Sequence, residues 1–222
     1  MQIFLDTADV SEISSAYETG LIDGVTTNPT LIKKSGRNPR GVYQEIKMIG
    51  IPDISMEVVC ETAEEMRDEG VELHNVYGDV TTIKVPCTVE GLKACKYLSD
   101  LNIRINVTLI FNSAQATLAA KAGATYVSPF VGRLDDNSIS GLDAVKYITE
   151  LYRKQNVATK VLSASIRDVD SVTSSFYNGA HIVTMPPSIF WKMYNHVLTD
   201  RGMDMFQKDW DLALQSFQHL TN

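Results

Sequence analysis

The stretch "VTTIKVP", residues 80–86, decides how the rest of the chain is read. Its β-branched residues and closing proline predict a short strand, and period-2 alternation puts Thr82, Lys84 and Pro86 on one face. A lysine is almost never fully buried without a partner. Lys84 is therefore either a side chain that snorkels out of a strand end or a desolvated amine with a depressed pKa, able to attack a carbonyl. One strand leaves both readings open.

Working outward, runs of the same kind recur: "IFLD" (3–6), "GVTTN" (24–28), "DISMEVV" (53–59), "IRINVT" (103–108), "TYVSPF" (125–130), "TKVLSAS" (159–165) and "HIVTMP" (181–186). Amphipathic segments such as "TAEEMRDEGVELHN" and "SGLDAVKYITELYRKQ" lie between them. Thr62 with Glu65 predicts a capping box, and Thr88 and Ser140 are candidate caps of later helices. No hairpin signal joins two strands directly. Strands that alternate with helices run parallel, and eight of them predict a closed (β/α)₈ TIM barrel in the α/β class. Residues 1–222 read as one such domain, with "SIFWKMYNHVL" (188–198) as its eighth helix and 198–222 as an additional C-terminal helix.

Composition fits this reading and excludes others. The chain has 222 residues, 44% hydrophobic and 21% charged, enough for one sizeable core. A net charge of −7 argues against non-specific binding to nucleic acid or a membrane surface. Cys60, Cys87 and Cys95 show no metal-ligand spacing with the four histidines, so reduced thiols in a cytoplasmic protein are the expectation. "MQIFLDTADV" reaches Asp6 and Asp9 too early for a signal peptide, and no apolar run is long enough to span a bilayer.

A barrel puts its chemistry at the C-terminal ends of the strands. One parity along each strand gives Asp6, then Thr26 and Asn28, Glu57, Lys84, Asn106 with Thr108, Ser128 with Phe130, and Ser163 with Ser165. Solvent proximity explains a scatter of Ser, Thr and Asn. It explains less well the ionisable Asp6, Glu57 and Lys84 on strands otherwise made of Val, Ile and Leu, since such groups gather at functional sites. A buried amine and two carboxylates suit Schiff-base chemistry on a hydroxy-ketone. The amine condenses with the carbonyl, the iminium accepts the electrons of a breaking C–C bond, and a carboxylate takes the hydroxyl proton. Arg133, Ser165 and Arg167 stand just past the sixth and seventh strands, where a guanidinium fork fits a phosphate. Surface salt bridges with Asp135, Asp136 and Asp168 are the competing account of the arginines.

The motifs "FLDTAD", "GVTTNPTLI", "IKVPCTVEGLKA", "INVTLIFNSAQA", "GATYVSPFVGR", "SASIRD" and "FQKDW" together resemble the transaldolases, in the short subfamily that also contains fructose-6-phosphate aldolases. The resemblance runs from about residue 2 to about residue 212. It implies that Lys84 is the Schiff-base lysine, that Asp6 takes the proton in C–C cleavage, and that Glu57 with Thr108 orders a catalytic water. It implies that Asn28, Asn106 and Ser128 hold a dihydroxyacetone fragment and that Arg133, Ser165 and Arg167 bind phosphate. No cofactor or metal is implied, because the imine is the electron sink. The aldolase branch carries Tyr, Gln and Lys where this chain has Phe130, Glu57 and Arg167. The implied reaction is therefore transfer of a dihydroxyacetone unit between sugar phosphates in the non-oxidative pentose phosphate pathway. Release of free dihydroxyacetone is the alternative reaction. A catalytically silent sugar-phosphate-binding barrel is the rival from another class, and it has no use for Lys84 with Asp6 and Glu57.

The C-terminal segment carries Phe206, Trp210, Leu214 and Phe217 at helical spacing with no strand left to cover. Such a stripe either packs back over the barrel bottom or docks on a neighbouring subunit. The resemblance implies the second, in a homodecamer built from pentameric rings.

Overall fold

In the computed structural model, backbone is described for residues 1–220 and side chains for residues 1–216. Eight parallel strands close in sequence order, with β8 pairing back onto β1. They are β1 Gln2–Asp6, β2 Gly24–Thr26, β3 Ile54–Glu57, β4 Thr81–Pro86, β5 Arg104–Ile110, β6 Tyr126–Pro129, β7 Lys160–Ser163 and β8 Ile182–Met185. The helices are α1 Val10–Tyr17, α2 Pro29–Ser35, α3 Pro39–Ile49, α4 Ala63–Tyr77, α5 Val89–Asp100 and α6 Ser113–Lys121. They continue with α7 Val131–Asp135, α8 Gly141–Lys154, α9 Val169–Tyr177, α10 Pro187–Lys192 and α11 Val197–Leu220. The expected (β/α)₈ barrel with a C-terminal helix is the fold. Helix starts follow the chemistry of their caps: Thr62 and Glu65 form the capping box of α4, and Thr88 and Ser140 cap α5 and α8.

The main hydrophobic core lies between the strands and the surrounding helices, drawing on residues such as Leu5, Val25, Ile83, Leu98, Ile105 and Ile148. A smaller cluster of Phe4, Tyr126, Leu162, Ala164 and Ile182 fills part of the barrel interior. Gly24 makes room for it, since a Cβ there would come within 2.6 Å of the fully buried Phe4 ring. Below this plug, Asp53 accepts from Thr82 (2.8 Å), Tyr126 (2.7 Å) and Arg104 (3.0 Å). Those partners offset part of the cost of burying a carboxylate. Burial still pushes the Asp53 carboxyl above its ordinary value.

Two expectations are corrected. "SIFWKMYNHVL" is not one helix: α10 stops at Lys192 and α11 starts at Val197. His196 makes the restart, its Nδ1 accepting from Leu198 N at 3.2 Å while its carbonyl accepts from Thr199 and Asp200. The side chain thus does what a cap residue does. The strand-end parity also fails in β7. Ser163 bonds Ser175 Oγ of α9 at 2.8 Å, outside the barrel, while Leu162 and Ala164 face inward. Ser165 regains the mouth through a left-handed backbone turn, φ +59°.

The aromatic stripe of α11 does not pack back on the barrel. Phe206, Trp210 and Leu214 are exposed, with Met203, Met205 and Leu212 beside them. The side chain of Phe217 lies outside the described residues.

Gly24→Ala should destabilise the fold by about 1–3 kcal/mol through overpacking against Phe4. Combining it with Phe4→Leu should cost less than the sum of the two single changes, because the smaller side chain clears the space. Urea unfolding of all three variants checks this, and strict additivity would mean that the two residues do not compete for the same volume.

Candidate active site

The strand register brings the ionisable residues together. Glu57 pairs with Lys84 across β3 and β4, and Lys84 pairs with Asn106 across β4 and β5, so the three stand side by side at one level of the barrel. Gly91 fixes the end of β4, because any Cβ there would run into the Pro86 carbonyl and hold α5 away. Lys84 is 5% exposed. Its ammonium is 3.0 Å from Glu57 Oε2 and donates to the Thr27 carbonyl at 3.1 Å. The snorkelling reading of Lys84 is thereby excluded: the amine points into protein and is held there by a carboxylate and a peptide oxygen.

Asp6 stands across the mouth. Burial pushes its carboxyl above the ordinary value, opposed by the Lys84 charge and by a hydrogen bond from Thr26. Thr26 Oγ1 lies 2.8 Å from Asp6 Oδ1 and 2.7 Å from Thr184 Oγ1. A hydroxyl carries one proton, so if Thr26 gives its own to Asp6, Thr184 is the donor of the second bond. On the other side, Ser128 donates to Asn106 Oδ1 at 2.6 Å and Asn106 donates to Ser55 Oγ at 3.3 Å, fixing the amide in one orientation. Asn28 caps α2, its Oδ1 accepting from Leu31 N at 3.0 Å, and its amide NH₂ is left to face the cavity.

A cavity of about 100 Å³ at the mouth is lined by Asp6, Asn28, Lys84, Asn106, Ser128, Phe130, Arg133 and Ser165, with Thr26, Leu162, Ala164 and Thr184. Arg133 lies over the Phe130 ring, 4.9 Å from its centroid, in a cation–π contact. Three expected site residues are not in this lining. Glu57 reaches Lys84 from the side, and Thr108 is buried with a hydroxyl that has no partner among the described residues. Thr108 precedes Leu109, whose φ of +60° marks a bulge in β5. Arg167 makes a two-pronged pair with Asp136, as the surface account of the arginines had it. Asp168 instead caps α9. Gly132 lets the Arg167 stem pass close, since a Cβ there would sit 2.6 Å from its Nε.

Sequence reasoning missed Thr184 and gave Thr26 no role. The signal for Thr184 was available: in "HIVTMP" it has the parity of the buried Ile182. A larger cavity, about 700 Å³ between α6 and α8, touches none of these residues. Among the described residues no group of three His, Cys, Asp or Glu could hold a metal, and no helix is long and apolar enough to cross a membrane.

A buried amine between two carboxylates, with hydroxyl and amide groups around a small polar mouth, can condense with a carbonyl and move protons beside it. Comparison with known proteins gives the family. The family described as Transaldolase/Fructose-6-phosphate aldolase matches residues 3–220. Among curated relatives, a probable transaldolase of Paracoccus denitrificans is 47% identical over 95% of this chain and 96% of its own length. One from Caulobacter vibrioides is 48% identical over 97% of this chain and 99% of its own. A probable transaldolase 1 of Bacillus cereus is 45% identical over 95% of this chain and 98% of its own. With barrel, lysine and family match extending over nearly the whole chain, the protein belongs to the transaldolase/fructose-6-phosphate aldolase family.

Proposed function

We propose that this protein is a transaldolase, transferring a dihydroxyacetone unit from a ketose phosphate to an aldose phosphate through an imine on Lys84. The observation that carries the reading is the Lys84 ammonium, buried and 3.0 Å from Glu57, with Asp6 facing it across the mouth. In this mechanism neutral Lys84 adds to the ketone and the carbinolamine loses water to give the iminium. Asp6 takes the proton from the hydroxyl next to the breaking C–C bond, the aldose leaves, and the electrons remain on Lys84 as an enamine. An incoming aldehyde accepts them. Asn28, Asn106 and Ser128 hold the hydroxyls of the three-carbon unit, and Glu57 with Thr108 handles the water.

Arg133 and Ser165, at the mouth, would take the phosphate. Arg167 joins them when phosphate displaces Asp136 from its fork. Phe130, Glu57 and Arg167 favour transfer over release of free dihydroxyacetone, because the phenyl ring offers no hydroxyl to place a water at the enamine. The relatives' names as probable transaldolases favour the same branch. Sedoheptulose 7-phosphate and fructose 6-phosphate are the donors this implies, in the non-oxidative pentose phosphate pathway of the cytoplasm. The free thiols of Cys60, Cys87 and Cys95 fit a reducing compartment. The exposed stripe of α11 fits a helix that docks on a neighbouring subunit, in the ring-built homodecamer that the resemblance implies.

Borohydride with fructose 6-phosphate should trap the wild type covalently, and Lys84→Met should fold yet give no adduct. Assaying donor cleavage with and without an aldehyde acceptor then separates the branches. Cleavage that needs the acceptor supports the transaldolase, whereas free dihydroxyacetone without it means the aldolase.

Asp6 must be ionised to act as base, and burial raises its pKa, so activity should fall as pH drops through a value above the ordinary carboxylate value of about 3.9. Asp6→Asn should slow C–C cleavage by about 10²–10⁴-fold while leaving imine trapping intact. An unshifted acid limb in the kcat profile of this variant would exclude Asp6 as the base.

Truncation after Thr199 should reduce the assembly size measured by light scattering. An unchanged size would remove α11 from the interface.

A further inference from the structure

Asp6 lines the mouth and commits one carboxylate oxygen to the protein: Oδ1 accepts from Thr26, while Oδ2 has no partner among the described residues. Thr26 stands level with Asp6 on the neighbouring β2. Thr184, on β8, lies on the other side of β1, in register with Phe4 and so one inward-facing position below Asp6. The two threonines meet across β1 inside the barrel, where their hydroxyl oxygens are 2.7 Å apart. Each residue is 2% exposed. Thr26 is the one hydrogen-bond partner of the Thr184 hydroxyl among the described residues. A valine would fill the same space beside Phe4 with no hydroxyl to satisfy, so packing does not account for a threonine here.

Proton counting sets the direction of this chain. Each hydroxyl has one proton to give. With Thr26 donating to Asp6 and Thr184 donating to Thr26, both protons have acceptors. In the reverse direction Asp6 would donate to Thr26 and Thr26 to Thr184, and the Thr184 proton would have no acceptor among the described residues. The first direction leaves Oδ1 an acceptor whether Asp6 is ionised or protonated, so a proton that Asp6 takes up belongs on Oδ2. Linked hydroxyls also polarise one another, and a chain that ends on a carboxylate favours its charged form. Lys84 across the mouth favours that form too. Glu57 beside the amine and Arg133 in the same lining are the other charged groups there, and β2 and β8 bring no titratable side chain.

We propose that Thr184 is a positioning residue for the base: by donating to Thr26 it holds the Thr26 proton on Asp6 Oδ1 and leaves Oδ2 to carry the substrate proton. The proposal rests on the reading of Asp6 as the base and Lys84 as the imine-forming residue. In cleavage the hydroxyl proton of the donor sugar passes to Oδ2, and the O–H pair becomes the carbonyl π bond of the departing aldose. The C–C pair moves into the enamine as the iminium π pair returns to nitrogen. Oδ2 keeps the proton while the aldoses exchange. When the enamine carbon bonds to the incoming aldehyde, the carbonyl π pair moves to oxygen, which takes the Oδ2 proton. The nitrogen pair then restores the iminium. One proton thus serves both halves of the transfer, and Thr184 keeps it on the oxygen that is free to meet the sugar.

Thr184→Val removes the hydroxyl at nearly constant volume, and Thr184→Ser keeps it. Thermal melting checks that each variant folds, and Thr184→Ala replaces the valine variant if that one does not. The kcat is followed against pH with fructose 6-phosphate and an aldose phosphate acceptor. Losing the chain removes support from the charged carboxylate, so the acid limb should move up by about half a pH unit in Thr184→Val. On the plateau kcat should fall about three- to tenfold, with KM and the fraction trapped by borohydride unchanged. Thr184→Ser should restore both limb and kcat. In a Thr26→Val background, adding Thr184→Val should move neither further, because Thr184 acts through Thr26. A wild-type limb and kcat in Thr184→Val would overturn the proposal, and a serine variant as impaired as the valine one would do the same by reducing Thr184 to packing. An acid limb that Asp6→Asn leaves in place would overturn the reading of Asp6 instead, and this proposal with it.

Discussion

An ammonium taken out of water needs an opposite charge and an acceptor, and much of this barrel is arranged around that requirement at Lys84. The carboxylate comes from Glu57, one strand away in register, and the acceptor is the Thr27 carbonyl at the end of β2. Both partners depend on the closure of the sheet, which sets β2, β3 and β4 at the right stagger. Asp6 adds a second negative charge from β1, muted by its own burial. Arg133 adds a positive charge to the mouth lining, and the polar groups that remain there are hydroxyls and amides without formal charge, so the local balance is set by four side chains.

The barrel was legible in the sequence because its signals are local. Each strand announced itself by β-branched residues bounded by turns, and alternation chose the inward face for Asp6, Lys84, Asn106 and Ser128. What was not legible depends on single backbone angles and on three-dimensional neighbours. Ser163 and Ser165 share a parity in the sequence, but the left-handed turn at Ser165 breaks the alternation, and no composition rule foretells that turn. His196 is a poor helix stop on propensity alone, yet its imidazole accepts from Leu198 and begins a new helix. Arg167 could be placed near the mouth by its number, and Asp136 was one of three aspartates the sequence offered it; the choice among them came with the fold, where Asp136 ends α7 beside Arg167. Thr184 was missed because the one ionisable residue of the run "HIVTMP", His181, stands at its start and not at its C-terminal end.

Several departures from ideal geometry gather on the side of the barrel formed by β5, β6 and β7. Leu109 bulges β5 with a positive φ, and Ser165 does the same just after β7. Gly132 permits the close approach between α7 and Ser165, where a Cβ would collide with the serine carbonyl. Backbone strain of this kind persists when surrounding contacts over-determine it. Here it sets where Thr108, Ser165 and Arg133 stand relative to one another, which a regular strand-helix unit would not do.

The two hydrophobic clusters divide the molecule's labour. Cohesion resides mainly in the sleeve between strands and helices, where the larger core is continuous from Leu5 to Phe190. The apolar cluster of the lumen is small, Phe4, Tyr126, Leu162, Ala164 and Ile182 with Phe130 packed against it, and polar side chains such as Asn106 and Ser128 stand beside it. Side chains in the upper lumen can therefore be exchanged with little draw on the reserve that keeps the chain folded, provided that the buried charges of Lys84, Glu57 and Asp6 stay balanced. The same sleeve could host a different set of mouth residues, and hence a different reaction, at little cost in foldedness. In this architecture chemistry and durability are separately heritable.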